Sequence, residues 1–242
     1  MNNQNVETYH GIPLNVNSEY ANQISELVEF YQKQMETHPL QNVFKSQRVP
    51  LKLLKEYASL QYIDSTLWVP MLAIMKDRVS APRISKALKD NIMCEAGVCG
   101  TSHITLCMNF IKSLGVDPFF GSTEYYSPLA IHPTEMMNAV SGMSEGQIVG
   151  WTLVAEAIVP FLFQMTLAAY KKNPKTNVLY LEEHISVDSD EHAQWMFEGA
   201  IEVATSAQAF HAILEGIHLG GRTALSVPDA LYAKFLRGAY DE

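Results

Sequence analysis

Between Glu145 and Lys171 the chain reads GQIVGWTLVAEAIVPFLFQMTLAAY, and the one residue in that stretch charged at neutral pH is Glu156. A lone carboxylate in a dry interior is costly, so it must be protonated, paired with a cation or bound to a metal. From this segment alone all three remain open. A second polar cluster, HISVDSDEH, spaces His184, Asp188 and His192 four residues apart. On a helix turning about 100° per residue the outer two diverge by about 80°, which is wide for one ion but suits a two-ion centre, particularly across a π-bulge. Imidazole nitrogen with carboxylate oxygen suits iron or manganese, and the lack of a Cys pair in the motif argues against structural zinc. Asp190 and Glu191 beside these residues are equally what a hydrated helix face carries. In MCEAGVCGTSHITL, Glu95 and His103 are separated by a stretch that holds Gly97 and Gly100, a pair that says little by itself. Taken together, the three segments offer three carboxylates and three imidazoles. That set balances most of the charge of two divalent ions and matches the ligand inventory of two-metal sites in helical bundles.

The elements that would position these residues read as helices, because apolar residues recur at three and four positions and long stretches lack Gly and Pro. The pattern predicts helices over residues 19–36 and 50–79, the second kinked or divided at Pro70. A third helical region covers 84–114, with a break or bulge near Gly97 and Gly100, and GVDPFFGSTEYYSP follows as a loop. Further helices are predicted over 133–143, 144–171 and 177–222, the last bent at Gly216 or ending at Gly220 and Gly221. A final amphipathic segment covers 228–237. The fold class is therefore all-α, a bundle of about seven helices, with residues 1–17 as an N-terminal arm and 18–242 as one helical-bundle domain. The apolar run around Glu156 is long enough to span a membrane, but the carboxylate and Pro160 near its centre favour the core helix of a bundle.

Lys plus Arg number 17 against 26 Asp plus Glu, a formal balance of −9 that gives neither nucleic acid nor anionic lipid an electrostatic footing. A small-molecule substrate is favoured, with no nucleic-acid and no membrane partner. Cys94, Cys99 and Cys107 are odd in number, which suits thiols in a reducing compartment, and the N-terminus lacks the basic start and apolar stretch of a signal peptide. The expected location is the cytoplasm, and the expected assembly a homodimer, the commonest symmetric state. Tyr20, Tyr31, Tyr170 and Tyr180 read as core residues that can also lie near an oxidant, and His211 and His218 as helix-packing residues. Phe119, Phe120, Tyr125 and Tyr126 read as a packed surface loop or the lining of an entrance.

The same residues resemble the haem-oxygenase-like diiron oxidases, a superfamily that includes the CADD-like proteins and relatives of TenA and of the PQQ-synthesis oxidase. The resemblance rests on Glu95 and His103 before SLGVDP, Glu156 in EAIVP, and His184, Asp188 and His192 in HISVDSDEHA, and covers nearly half the chain. It implies a haem-oxygenase-like bundle in which Glu95, His103, Glu156, His184, Asp188 and His192 hold two iron ions, with manganese as the alternative. It also implies an external reductant, O₂ as co-substrate, oxidation of a small organic substrate, and a catalytic role for Glu156 as a bridging or switching ligand. Asp188 and His192 carry one more residue between them than the usual pattern, which predicts a distorted or weakly held second ion. Thr166 stands where members that make p-aminobenzoate from their own side chains have a Lys, which speaks against that activity. The competing expectations are a metal-free TenA-like hydrolase with a Cys nucleophile, a cofactorless oxidase, and a helical scaffold protein with a vestigial polar network.

Overall fold

The computed structural model describes residues 8–9, 12–13, 18–98, 100–118, 132–187 and 192–240. Apart from a minimal antiparallel pair, β1 (Thr8–Tyr9) and β2 (Ile12–Pro13), the described residues form helices and their connections. In chain order the helices are α1 (Ser18–Glu36), α2 (Leu40–Lys45), α3 (Leu51–Arg78), α4 (Pro82–Glu95), α5 (His103–Ser113), α6 (His132–Gly142), α7 (Glu145–Lys171), α8 (Leu179–Val187), α9 (Ala193–Val203) and α10 (Ala207–Leu236).

The apolar helix of the sequence, α7, is the axis of the bundle, with α1, α2, α8, α9 and α10 packed around it. It starts at a capping box: the Ser144 hydroxyl accepts from the Gln147 backbone N–H, and the Gln147 side chain accepts from the Ser144 N–H at 2.9 Å. Among the described residues α7 is the one helix long and apolar enough to cross a membrane, and it is mostly buried inside the protein. Two core clusters run along it, one holding Val154 and Ile158 and the other Phe163 and Tyr170, so that Glu156 sits near their junction. The helix continues through Pro160, which has no N–H to offer the Glu156 carbonyl, while the neighbouring Ala157 carbonyl accepts from the Gln32 side chain at 3.0 Å.

Gly146 and Gly150 let the α7 backbone lie against that of α10. A Cβ at Gly150 would stand 2.0 Å from the Ile213 carbonyl oxygen, and one at Gly216 on α10 would stand 2.2 Å from the Gln147 carbonyl oxygen. This close approach corrects the expected bend or stop at Gly216, Gly220 and Gly221. Those glycines are packing points, so α10 continues through them and absorbs the segment expected to form a separate helix from Pro228. The expected helix over 177–222 is instead interrupted between α9 and α10, with α8 covering its first part. This break follows from Ser206, whose hydroxyl caps α10 by accepting from the Ala209 N–H at 3.2 Å. Pro70 does not divide α3, and α2 has no counterpart in the predicted elements. The break expected near the glycines does occur. Gly97 adopts φ +89°, and a Cβ there would meet the Ser102 backbone nitrogen at 2.7 Å, so α4 ends at Glu95 and α5 restarts at His103.

Candidate metal centre

That break turns two residues far apart along one helix into neighbours across a turn. Glu95, the last residue of α4, places Oε1 2.9 Å from Nδ1 of His103, the first residue of α5. The His103 ring lies 4.4 Å from the ring of His184 on α8, centroid to centroid. One ligand atom from each of Glu95, His103 and His184 falls within 4.8 Å of the others, and all three side chains are buried. Two ligands about 2.1 Å from a shared ion stand at most about 4.2 Å apart, so contraction by a few tenths of an ångström lets one ion bind all three.

The protonation of His184 follows from its surroundings. Its Nδ1 lies 2.8 Å from the Tyr180 carbonyl, which can only accept, so Nδ1 carries the proton and Nε2 keeps its lone pair. Burial, followed by the neighbouring His103, pushes its pKa down to about 3, which keeps the ring neutral and available to a cation at any ordinary pH. The rings of Tyr180 and Phe163, at 4.5 and 5.0 Å, hold it in place.

Glu156, 3% exposed, forms the next part of the cluster. Its Oε1 accepts from the Asn91 side-chain amide at 2.7 Å, and its Oε2 lies 3.6 Å from Nδ1 of His192. His192 sits in a π-helical turn where the chain enters α9, its ring 5.3 Å from that of Trp195. Asp188 lies outside the described residues, as do Cys99 and the aromatic residues Phe119, Phe120, Tyr125 and Tyr126. The structure thus gathers the other five candidate ligands in one buried region, as a tight group of three and a looser pair.

Glu95, Glu156 and His184 open onto a cavity of about 150 Å³. Its wall also includes Trp68, Met71 and Leu162, together with Asp64, whose carboxyl is pushed up to about 7 by burial. Tyr180 lines it too, and its hydroxyl shares a hydrogen bond with Ser65 at 2.9 Å. The other tyrosines have structural partners: Tyr170 donates to the Leu54 carbonyl, Tyr31 bonds His218, and Tyr20 stacks on Phe210. Cys107 is buried, and burial drives its thiol up to about 12, a poor starting point for a nucleophile.

Sequence reasoning misses Asn91 and Asp64. The signal for Asp64 is present, since it is the single charged residue between Glu56 and Lys76, the same pattern that singles out Glu156. Asn91 carries no such signal, because an Asn one turn before a Glu is commonplace on a helix surface.

Two buried carboxylates, Glu95 and Glu156, and the imidazole of His184 face one cavity within a helical bundle, the setting in which such folds build metal sites from inward-facing side chains. The chain belongs to the family of iron-containing redox enzymes, whose family model matches residues 55–222. Its fold is that of a TenA homolog from Pseudomonas syringae pv. tomato, with a TM-score of 0.73 and 11% identity over 88% of this chain and 93% of that one. It is also similar to a CADD-like protein of unknown function from Nostoc punctiforme, with a TM-score of 0.65 and 12% identity over 88% of this chain and 96% of that one. No curated protein matches the sequence significantly.

Proposed function

We propose that the protein is a non-haem diiron oxidase that uses O₂ to oxidise a small organic substrate. The observation that carries this reading is the convergence of Glu95, His103 and His184, with Glu156 and His192 close together, in one buried region where Glu95, Glu156 and His184 line a cavity. The first three residues would hold one ion, and Glu156, His192 and Asp188 the other, with manganese as the alternative metal. When bound, ferrous iron supplies electrons for the reduction of O₂, and an external reductant restores it.

The chain's own residues then have definite tasks. The Tyr180 carbonyl fixes the proton of His184 on Nδ1 and so turns Nε2 toward the ion. Asn91 holds one oxygen of Glu156. The cavity, lined mostly by apolar side chains, limits substrate size; an engineered apolar cavity of similar volume in another protein admits benzene. Asp64 provides a polar group in an otherwise largely apolar wall. Acidic net charge supports a small-molecule substrate over nucleic acid or a membrane, and the thiol-bearing composition supports a cytoplasmic location. A homodimer is the assembly to expect.

The test is anaerobic Fe(II) titration followed by O₂ addition, monitored by optical and Mössbauer spectroscopy, in the wild type and Glu156→Ala. Two irons per chain and an O₂-dependent optical change, with uptake impaired in the variant, are expected. A wild type that binds no iron would overturn the proposal and return attention to the metal-free hydrolase and scaffold alternatives.

A further inference from the structure

We propose that Asn91 is the positioning residue that aims the Glu156 carboxylate at the second ion, an inference that rests on the diiron reading above. Asn91 and Glu95 lie one turn apart on α4 and are both buried, so this helix sends two polar side chains into the core. Glu95 joins the group of three. Asn91 reaches across to α7, where its Nδ2 donates to Glu156 Oε1 at 2.7 Å. The opposite amide orientation would set a carbonyl oxygen against a carboxylate oxygen, so the chemistry of the pair decides which way the amide points.

The effect on Glu156 is specific. The terminal torsion of a glutamate is broad and roughly two-fold, so packing alone leaves its carboxylate free to turn. With Oε1 held from α4, Oε2 is the oxygen presented to His192, 3.6 Å away on the α9 side. Asn91 therefore fixes the plane of the carboxylate so that its other oxygen faces His192, and it acts on an ion through Glu156 without being a ligand itself.

A second observation points to something that binds there. Asn91 Oδ1 is buried and has no hydrogen-bond partner among the described residues, although it belongs to the same amide that holds Glu156. Buried acceptors are almost always satisfied, and an amide kept only for packing would be replaced at little cost by an apolar side chain of the same shape. A hydrated cation arriving beside Glu156 brings the donors that this oxygen lacks.

The experiment is an anaerobic Co(II) titration of the full chain, followed by equilibrium dialysis and visible absorption, in the wild type, Asn91→Leu and Asn91→Ala. Two binding steps are expected in the wild type. Asn91→Leu should leave the first within about threefold and weaken the second by about 10–100-fold, the usual effect of removing a partner of a metal ligand, with altered visible bands for the second ion. Asn91→Ala only removes atoms and carries the same expectation if the leucine variant does not fold. Wild-type affinities and bands in the folded variant, or equal weakening of both steps, would overturn the inference while leaving the diiron reading intact. A wild type that takes up fewer than two Co(II) ions would overturn that reading, and the inference with it.

Discussion

The two parts of the centre are built differently. Glu95, His103 and His184 come from the end of one helix, the start of the next and the middle of a third, and they are locked by a 2.9 Å carboxylate–imidazole contact, ring packing and a backbone hydrogen bond. Glu156 and His192 come from the middle of α7 and a π-helical turn at the start of α9, 3.6 Å apart, with one oxygen of Glu156 held by Asn91. The first group is preorganised by a backbone break that requires Gly97, whereas the second depends on side-chain hydrogen bonding between α4 and α7. Preorganisation lowers the cost of binding, so the first group should hold its ion more tightly.

The sharpest test removes one imidazole from each part. His184→Ala should cost about 1000-fold in Fe(II) affinity for the tighter ion, beyond the roughly 10–100-fold typical of an orienting partner, and His192→Ala should cost less and act mainly on the weaker ion. Metal titrations with equal losses in both variants would erase the distinction. Next in size is the scaffold common to both parts. Gly150→Ala forces a Cβ onto the Ile213 carbonyl and should destabilise the protein by about 3 kcal/mol in a denaturant melt. Because it displaces α7, it should weaken the ion held by Glu156 more than the one held by His184. A stable variant with both affinities intact would show that the α7–α10 spacing does not matter to the centre.

A smaller effect concerns the cavity wall in the metal-free protein. The Asp64 carboxyl is raised from 3.8 to about 7 by burial, so the folded state holds a proton that the unfolded chain releases. That contribution to stability is fully present below about pH 4 and is lost as pH rises through about 7. Asp64→Asn should therefore flatten the pH dependence over this window and leave the variant about 2 kcal/mol more stable than wild type at pH 8, allowing for the partial exposure of Asp64. Parallel stability curves for the two proteins would contradict the burial argument. The smallest expected change is in Tyr180→Phe, which removes the hydroxyl bonded to Ser65 but keeps the carbonyl that orients His184. Stability should fall by about 1 kcal/mol while Fe(II) affinity stays within about threefold. A large loss of affinity would mean that the hydroxyl, and not the carbonyl, governs the tighter part.

What can be read from the sequence follows the same division. A lone charge in an apolar helix reports its own burial, so Glu156 is legible without a structure, and Asp64 is marked by the same rule. Gly97 and Gly100 between two candidate ligands are legible as a break because glycine can supply the positive φ that such a break needs, as Gly97 does. Gly216, Gly220 and Gly221 look identical in sequence but mean the reverse, a close helix contact, and only the partner helix tells the two cases apart. The α9–α10 break is hard to see because Ser206, rather than Gly or Pro, makes it. Asn91 is the least visible of all, since its role exists only once α4 and α7 are side by side.

The glycine contact between α7 and α10 has one further consequence. Gly220, Thr223, Ala224 and Val227 of α10 line the cavity, yet α10 carries none of the six candidate ligands. Under the proposed function, substrate range can therefore drift by single substitutions along this helix, as at Ala224, where each added methylene subtracts cavity volume without touching a candidate ligand.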